Sequence, residues 1–160
     1  MMNLVEAARS GTQEAIEDLI RAVWPDAFRI ALSITGDRHL AEDASQEACA
    51  ILFRSISRLR SADAFKVWFF KIVMREARRL RRKNIADECS GDGALPNDLA
   101  RAIIHLDLQS ALAKLPAQQQ TAIVLHFYAE LNSREIAELL GIPDSTVRFH
   151  LMRARQALHI

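Results

Sequence analysis

Residues 131–158 read LNSREIAELLGIPDSTVRFHLMRARQAL. Asn132 can cap a helix with Glu135 three residues on, the spacing of a capping box. That helix spans Ser133 to Leu140, and Gly141 ends it by supplying the left-handed residue that helix C-termini favour. Pro143 suits the first position of a new helix, with Asp144 in the first turn, where the helix dipole favours an acid. In this last helix Val147, Leu151, Ala154 and Leu158 recur at i, i+4, i+7 and i+11, an inward stripe. Arg148, Phe149, Met152, Arg153 and Arg155 face elsewhere. Two helices joined by a tight turn at Gly141, the second basic and amphipathic, spell a helix-turn-helix.

Working outward, nearly every periodic stretch is helical. Ala15, Ile16, Leu19, Ile20 and Val23 share one face, and Pro25 should kink or restart that helix before it ends near Gly36. A second helix runs from about Leu40 to Leu59, with Ala44, Ala48, Ile51, Leu52 and Ser55 on its buried stripe. A third begins near Ser61 or Asp63 and runs to about Lys83, with Phe65, Trp68, Phe69, Ile72 and Leu80 inward. Residues 84–97 gather Gly91, Gly93 and Pro96 in a polar run, which is linker composition. Another helix covers Ala117 to Ala129. The fold class expected is all-α: two small helical domains, 1–83 and 108–160, joined by a flexible linker over 84–107.

The chain has 160 residues, 21 Lys plus Arg against 20 Asp plus Glu, and half of it is apolar. That composition excludes a disordered tail or a fibrous repeat. No apolar run approaches the ~20 residues that span a bilayer, and the N-terminus lacks a signal-peptide pattern, so no membrane insertion is expected. Cys49 and Cys89 cannot build a disulfide framework, which makes a cytoplasmic address the expectation. Cys49 lies on a helical stripe as a small hydrophobe, and Cys89 lies in the linker. The five His residues are scattered without metal-ligand spacing, and there is no Gly-rich phosphate loop. No enzyme activity, small-molecule substrate, metal or cofactor is expected.

The near-neutral charge hides an uneven distribution. Residues 65–83 carry eight basic side chains and one acidic one, a candidate polyanion-binding face. In the last helix, Arg suits bidentate contact with guanine, and Phe149 or Met152 suits a thymine methyl. Ser133, Arg134, Ser145 and Thr146 stand at helix starts, where hydroxyls, N–H groups and charge hold phosphates. On the second helix Asp43, Gln46 and Glu47 share one face and, with Glu42, offer acid and amide to a basic partner. These features alone leave three readings open: a two-part promoter-binding factor, a stand-alone helix-turn-helix regulator, and an adaptor for an acidic partner.

With those residues in view, the chain resembles the extracytoplasmic-function (ECF) group of sigma factors, small members of the sigma-70 family. The C-terminal likeness runs through Leu115-Pro116, Leu131, Glu135-Ile136-Ala137, Leu140-Gly141-Ile142-Pro143, Thr146-Val147, Leu151 and Arg153-Ala154-Arg155. The N-terminal likeness rests on Thr35-Gly36-Asp37, Ala41-Glu42-Asp43-Ala44, Gln46-Glu47, Phe65, Trp68 and the run Arg78-Arg79-Leu80-Arg81-Arg82-Lys83.

The resemblance implies core RNA polymerase, promoter DNA and an anti-sigma factor as partners. It implies polymerase binding at Glu42, Asp43, Gln46 and Glu47. Binding and melting of the −10 element fall to Lys66, Lys71, Arg75, Arg78, Arg79, Arg81 and Arg82, together with the loop before them, about Ser55 to Ala64. Reading of the −35 element falls to Ser133, Arg134, Ser145, Thr146, Arg148, Phe149, Met152, Arg153 and Arg155. Trp68, Phe69 and Phe70 are weaker candidates for base stacking, since an aromatic stripe at helical spacing more often belongs to the core. The chain departs from its relatives at Arg75, where Asn is common, at Ser145, where Gly is frequent, at Phe149-His150, and at Gln120, where Arg is common.

Overall fold

The computed structural model describes residues 1–88 and 111–160, and among the described residues every regular element is helical. The N-terminal unit contains α1 (Met2–Arg9), α2 (Gln13–Thr35), α3 (Arg38–Ser55) and α4 (Phe65–Glu88), with short 3-10 turns at Ile56–Arg58 and Ala62–Ala64. The C-terminal unit contains α5 (Ala117–Phe127), α6 (Ser133–Leu140) and α7 (Asp144–Leu158).

Helix α1 precedes the first helix read from the sequence. It buries Val5 and Ala8, and Arg9 donates from Nε to the Leu59 carbonyl at 3.0 Å and from Nη2 to the Arg60 carbonyl at 3.0 Å. An eight-residue helix of this kind is held by its tertiary contacts rather than by propensity.

Helix α2 runs without interruption through Pro25. A proline forfeits one backbone hydrogen bond, yet Val23, Ala27 and Ile30 lie buried on either side of it and keep both halves against one core. Gly36, at φ +65°, closes α2. Asp37 then caps α3 by accepting from the Leu40 N–H at 2.9 Å. Ala41, Ala44 and Ala48 present no bulk on the buried side of α3, so α2 and α4 pack closely against it. Phe65 and Phe69 of α4 stack at 5.6 Å in the centre of this core. Trp68 and Leu80, expected inward, are half-buried at its edge.

Helix α4 continues to Glu88, five residues into the stretch whose composition reads as linker, because no Gly or Pro interrupts it before Gly91. The rest of the linker, Cys89 and the sequence whose helical period resumes at about Asp98 or Leu99 lie outside the described residues. In the C-terminal unit Leu125, Leu131, Ile136, Val147 and Ala154 form the core. The α6 capping box is complete: Asn132 Oδ1 accepts from the Arg134 and Glu135 N–H groups at 3.0 Å, and Glu135 accepts from the Asn132 N–H at 2.8 Å.

The two units touch. Helix α5 packs on α2, and α6 lies against α4. Lys66 Nζ meets Glu130 Oε2 at 3.3 Å, and the Arg29 guanidinium lies 4.7 Å over the Tyr128 ring. A cleft of about 330 Å³ opens beside this seam, lined in part by Thr35, Arg81, Gln120 and Tyr128.

Candidate polymerase and nucleic-acid interfaces

Helix α4 turns one side to the core and the other to solvent. Lys71, Arg75, Arg78, Arg79 and Arg82 are exposed, and their spacing of three and four residues sets them in one stripe. Lys66 is not on that stripe: it is turned to the C-terminal unit and paired with Glu130. Arg81 lines the cleft between the units instead. Charge and family likeness group every cation of the segment together, whereas α4 has a second side that another part of the chain covers. Phe69 and Phe70 are 0% and 3% exposed, so neither is available to stack on a base. Trp68 sits half-buried with its ring 6.1 Å from Phe65.

One acid sits inside this basic segment. Glu76 is buried, and its two carboxylate oxygens take one arginine each, Arg75 Nε at 3.2 Å and Arg79 Nε at 2.8 Å. Burial pushes its carboxyl pKa up, but the hydrogen bonds and charges of Arg79 and Arg75 outweigh that and leave it below the ordinary value.

Helix α7 buries Val147, Leu151 and Ala154 and exposes Ser145, Arg148, Phe149, Met152 and Arg153. Phe149 and Met152, about half exposed, form an apolar ridge between the arginines. Arg148 is anchored by Asp144 at 3.1 Å. Ser133 and Arg134 stand at the start of α6, and Thr146 is half-buried in the first turn of α7. Arg155 is exposed beside Arg148 and Met152, but its guanidinium is engaged away from them. Its Nη2 donates to His126 Nε2 at 2.9 Å, and its guanidinium leans over Phe127 at 5.9 Å. His126 Nδ1 in turn lies 2.9 Å from the Leu131 carbonyl, so Nδ1 carries the proton and Nε2 is free to accept from Arg155.

On α3, Asp43, Gln46 and Glu47 are exposed along one face. Glu47 meets Arg54 at 3.4 Å, and Glu42, half-buried, is held by Arg38 at 3.1 Å to the side of that face. Phe53, 45% exposed on the same helix, is an apolar neighbour absent from the sequence-based expectation. Its signal in the sequence is a bulky aromatic falling off the alanine stripe. Cys49 lies buried beneath, where desolvation pushes its thiol up to about 11. Among the described residues no cluster of His, Cys, Asp and Glu could hold a metal ion. No described helix is long and apolar enough to cross a membrane.

Residues 19–86 match the family Sigma-70 region 2, and residues 105–158 match Sigma-70, region 4. The RNA polymerase sigma factor SigV of Bacillus subtilis is 31% identical over 84% of this chain and 83% of its own length. This chain belongs to the sigma-70 family. The ECF RNA polymerase sigma factor SigW of the same organism is 29% identical over 96% of this chain and 92% of its own, in keeping with the ECF group. Among solved structures, the sigma factor RpoE in complex with the anti-sigma factor NepR, from Bartonella quintana, shares the fold. It has a TM-score of 0.69 and 22% identity, over 89% of this chain and 92% of that one. As a sigma factor, the chain joins core RNA polymerase and directs it to promoters for transcription initiation.

Proposed function

We propose a division of this work among three faces. The α3 face of Asp43, Gln46 and Glu47, with Glu42 beside it and Phe53 as an apolar anchor, docks on a basic surface of core polymerase. The α4 stripe tracks the phosphates of the −10 element as the duplex opens, where cationic grooves suit single strands. The α7 face reads base edges of the −35 element in the major groove. The observation that carries this reading is the pairing, in one chain, of an exposed five-cation stripe on α4 with an Arg-Phe-Met-Arg ridge on a separate helix-turn-helix. The domain division at 84–107 belongs to the same proposal. The chain supplies recognition and no catalysis, and it works in the cytoplasm, where polymerase and promoter are. An anti-sigma factor holding it inactive fits the likeness to a sigma factor solved with one.

Replacing Asp43 and Glu47 by Lys is expected to weaken binding in a titration against core polymerase while the helical circular-dichroism spectrum stays as in the wild type. Unchanged affinity would remove the α3 face from this role.

A further inference from the structure

Glu76 is the one acidic side chain among the nine charged residues of segment 65–83 and is only 6% exposed. Acidic side chains are seldom buried to this degree unless paired. A buried ion pair contributes little stability over an apolar residue of the same size. This one also subtracts a charge from a face whose other members are cationic.

What Glu76 accomplishes is geometric. Each carboxylate oxygen accepts from the Nε–H of one arginine. The Nη1 and Nη2 edges of both guanidiniums then have no protein partner among the described residues, and the two side chains remain 63% and 52% exposed. Arg75 and Arg79 stand four residues apart, where like charges repel. The carboxylate between them offsets that repulsion and holds two side chains that otherwise carry much rotamer entropy.

We infer that Glu76 is a positioning residue: it presents the free edges of Arg75 and Arg79, as a paired fork, to phosphates of the opened −10 strand. This rests on the proposed role of the α4 stripe. A guanidinium edge matches phosphate geometry bidentately. Fixing it beforehand removes the ordering cost of two side chains from the binding step.

The test exploits an inverted sign. By charge counting alone, removing an acid from a DNA-binding face tightens binding; by positioning, it weakens it. The probe is a promoter selected from a random-sequence pool by wild-type holoenzyme, with its −10 segment pre-opened. Holoenzyme carrying Glu76→Leu is expected to bind it about tenfold more weakly, with thermal stability unchanged or raised. The slope of log K against log salt should be shallower by about 0.7 for each phosphate no longer neutralised. Glu76→Gln, which keeps the shape and one acceptor oxygen, carries the measurement if the leucine variant does not fold. In an Arg75→Ala, Arg79→Ala background the same substitutions should change nothing. Equal or tighter binding of the Glu76 variants, or a loss that persists without the two arginines, overturns the inference. If the double arginine variant weakens binding while the Glu76 variants do not, the inference fails and the role of α4 stands. If the double arginine variant binds as the wild type does, both fail.

Discussion

At the scale of single residues, Arg153 and Arg155 are two positions apart on one helix and have opposite fates. Arg153 is exposed beside Phe149, one turn away, whereas Arg155 folds back to donate to His126. Arg153→Ala is expected to cost roughly 1–3 kcal/mol at the preferred upstream element and to relax the base preference there. Arg155→Ala is expected to leave that preference intact, because its guanidinium is engaged with α5. Selecting bound sequences from a randomised upstream element with each variant holoenzyme measures both, and an unaltered preference in the Arg153 variant would remove that residue from base reading. The two arginines look alike in the sequence. Periodicity separates inward from outward positions, but it carries no record of a histidine 29 residues away that claims one outward side chain. The same blindness groups Lys66 with Lys71, since Glu130 lies 64 residues from its partner.

At the scale of elements, legibility follows punctuation. Helix α6 is legible to the residue, Ser133 to Leu140, because both ends carry strong local signals: a capping box at Asn132 and a left-handed Gly141 at φ +67°. Asn132→Ala should therefore cost about 1 kcal/mol, read as a lowered midpoint in chemical denaturation of the whole chain. A change of a few tenths or less would mean that packing of Ile136 and Leu139, not the cap, sets this helix. Helix α2 shows the opposite case. Its one breaker, Pro25, is overridden by burial on both sides, a tertiary effect that local propensity does not contain. Helix α1 has two buried residues and an arginine reaching the 59–60 turn; at eight residues its apolar face, Leu4, Val5 and Ala8, repeats too few times to stand out as periodic.

At the scale of the whole molecule, the proposed division of work requires the two units to part. Elements named −10 and −35 lie about 25 base pairs apart, or roughly 85 Å at 3.4 Å per pair. A compact chain of this length has a radius of gyration near 15 Å and a width of about 40 Å. The docked arrangement therefore cannot span both elements. The polar part of the seam is weak. Lys66–Glu130 is an ion pair with Glu130 80% exposed, worth at most about 1 kcal/mol, and Arg29 over Tyr128 adds about 0.5–1 kcal/mol. Glu130 also adopts φ +54°, a left-handed conformation that costs a non-glycine residue of order 1–2 kcal/mol, so the turn bearing the ion pair is itself strained. Glu130→Lys combined with Tyr128→Ser should let the units separate in the free protein. Small-angle scattering would then give a radius of gyration above the compact value, with the helical circular-dichroism signal unchanged. A radius equal to the wild type's would mean that the apolar packing of α5 on α2, rather than these two polar interactions, holds the units together.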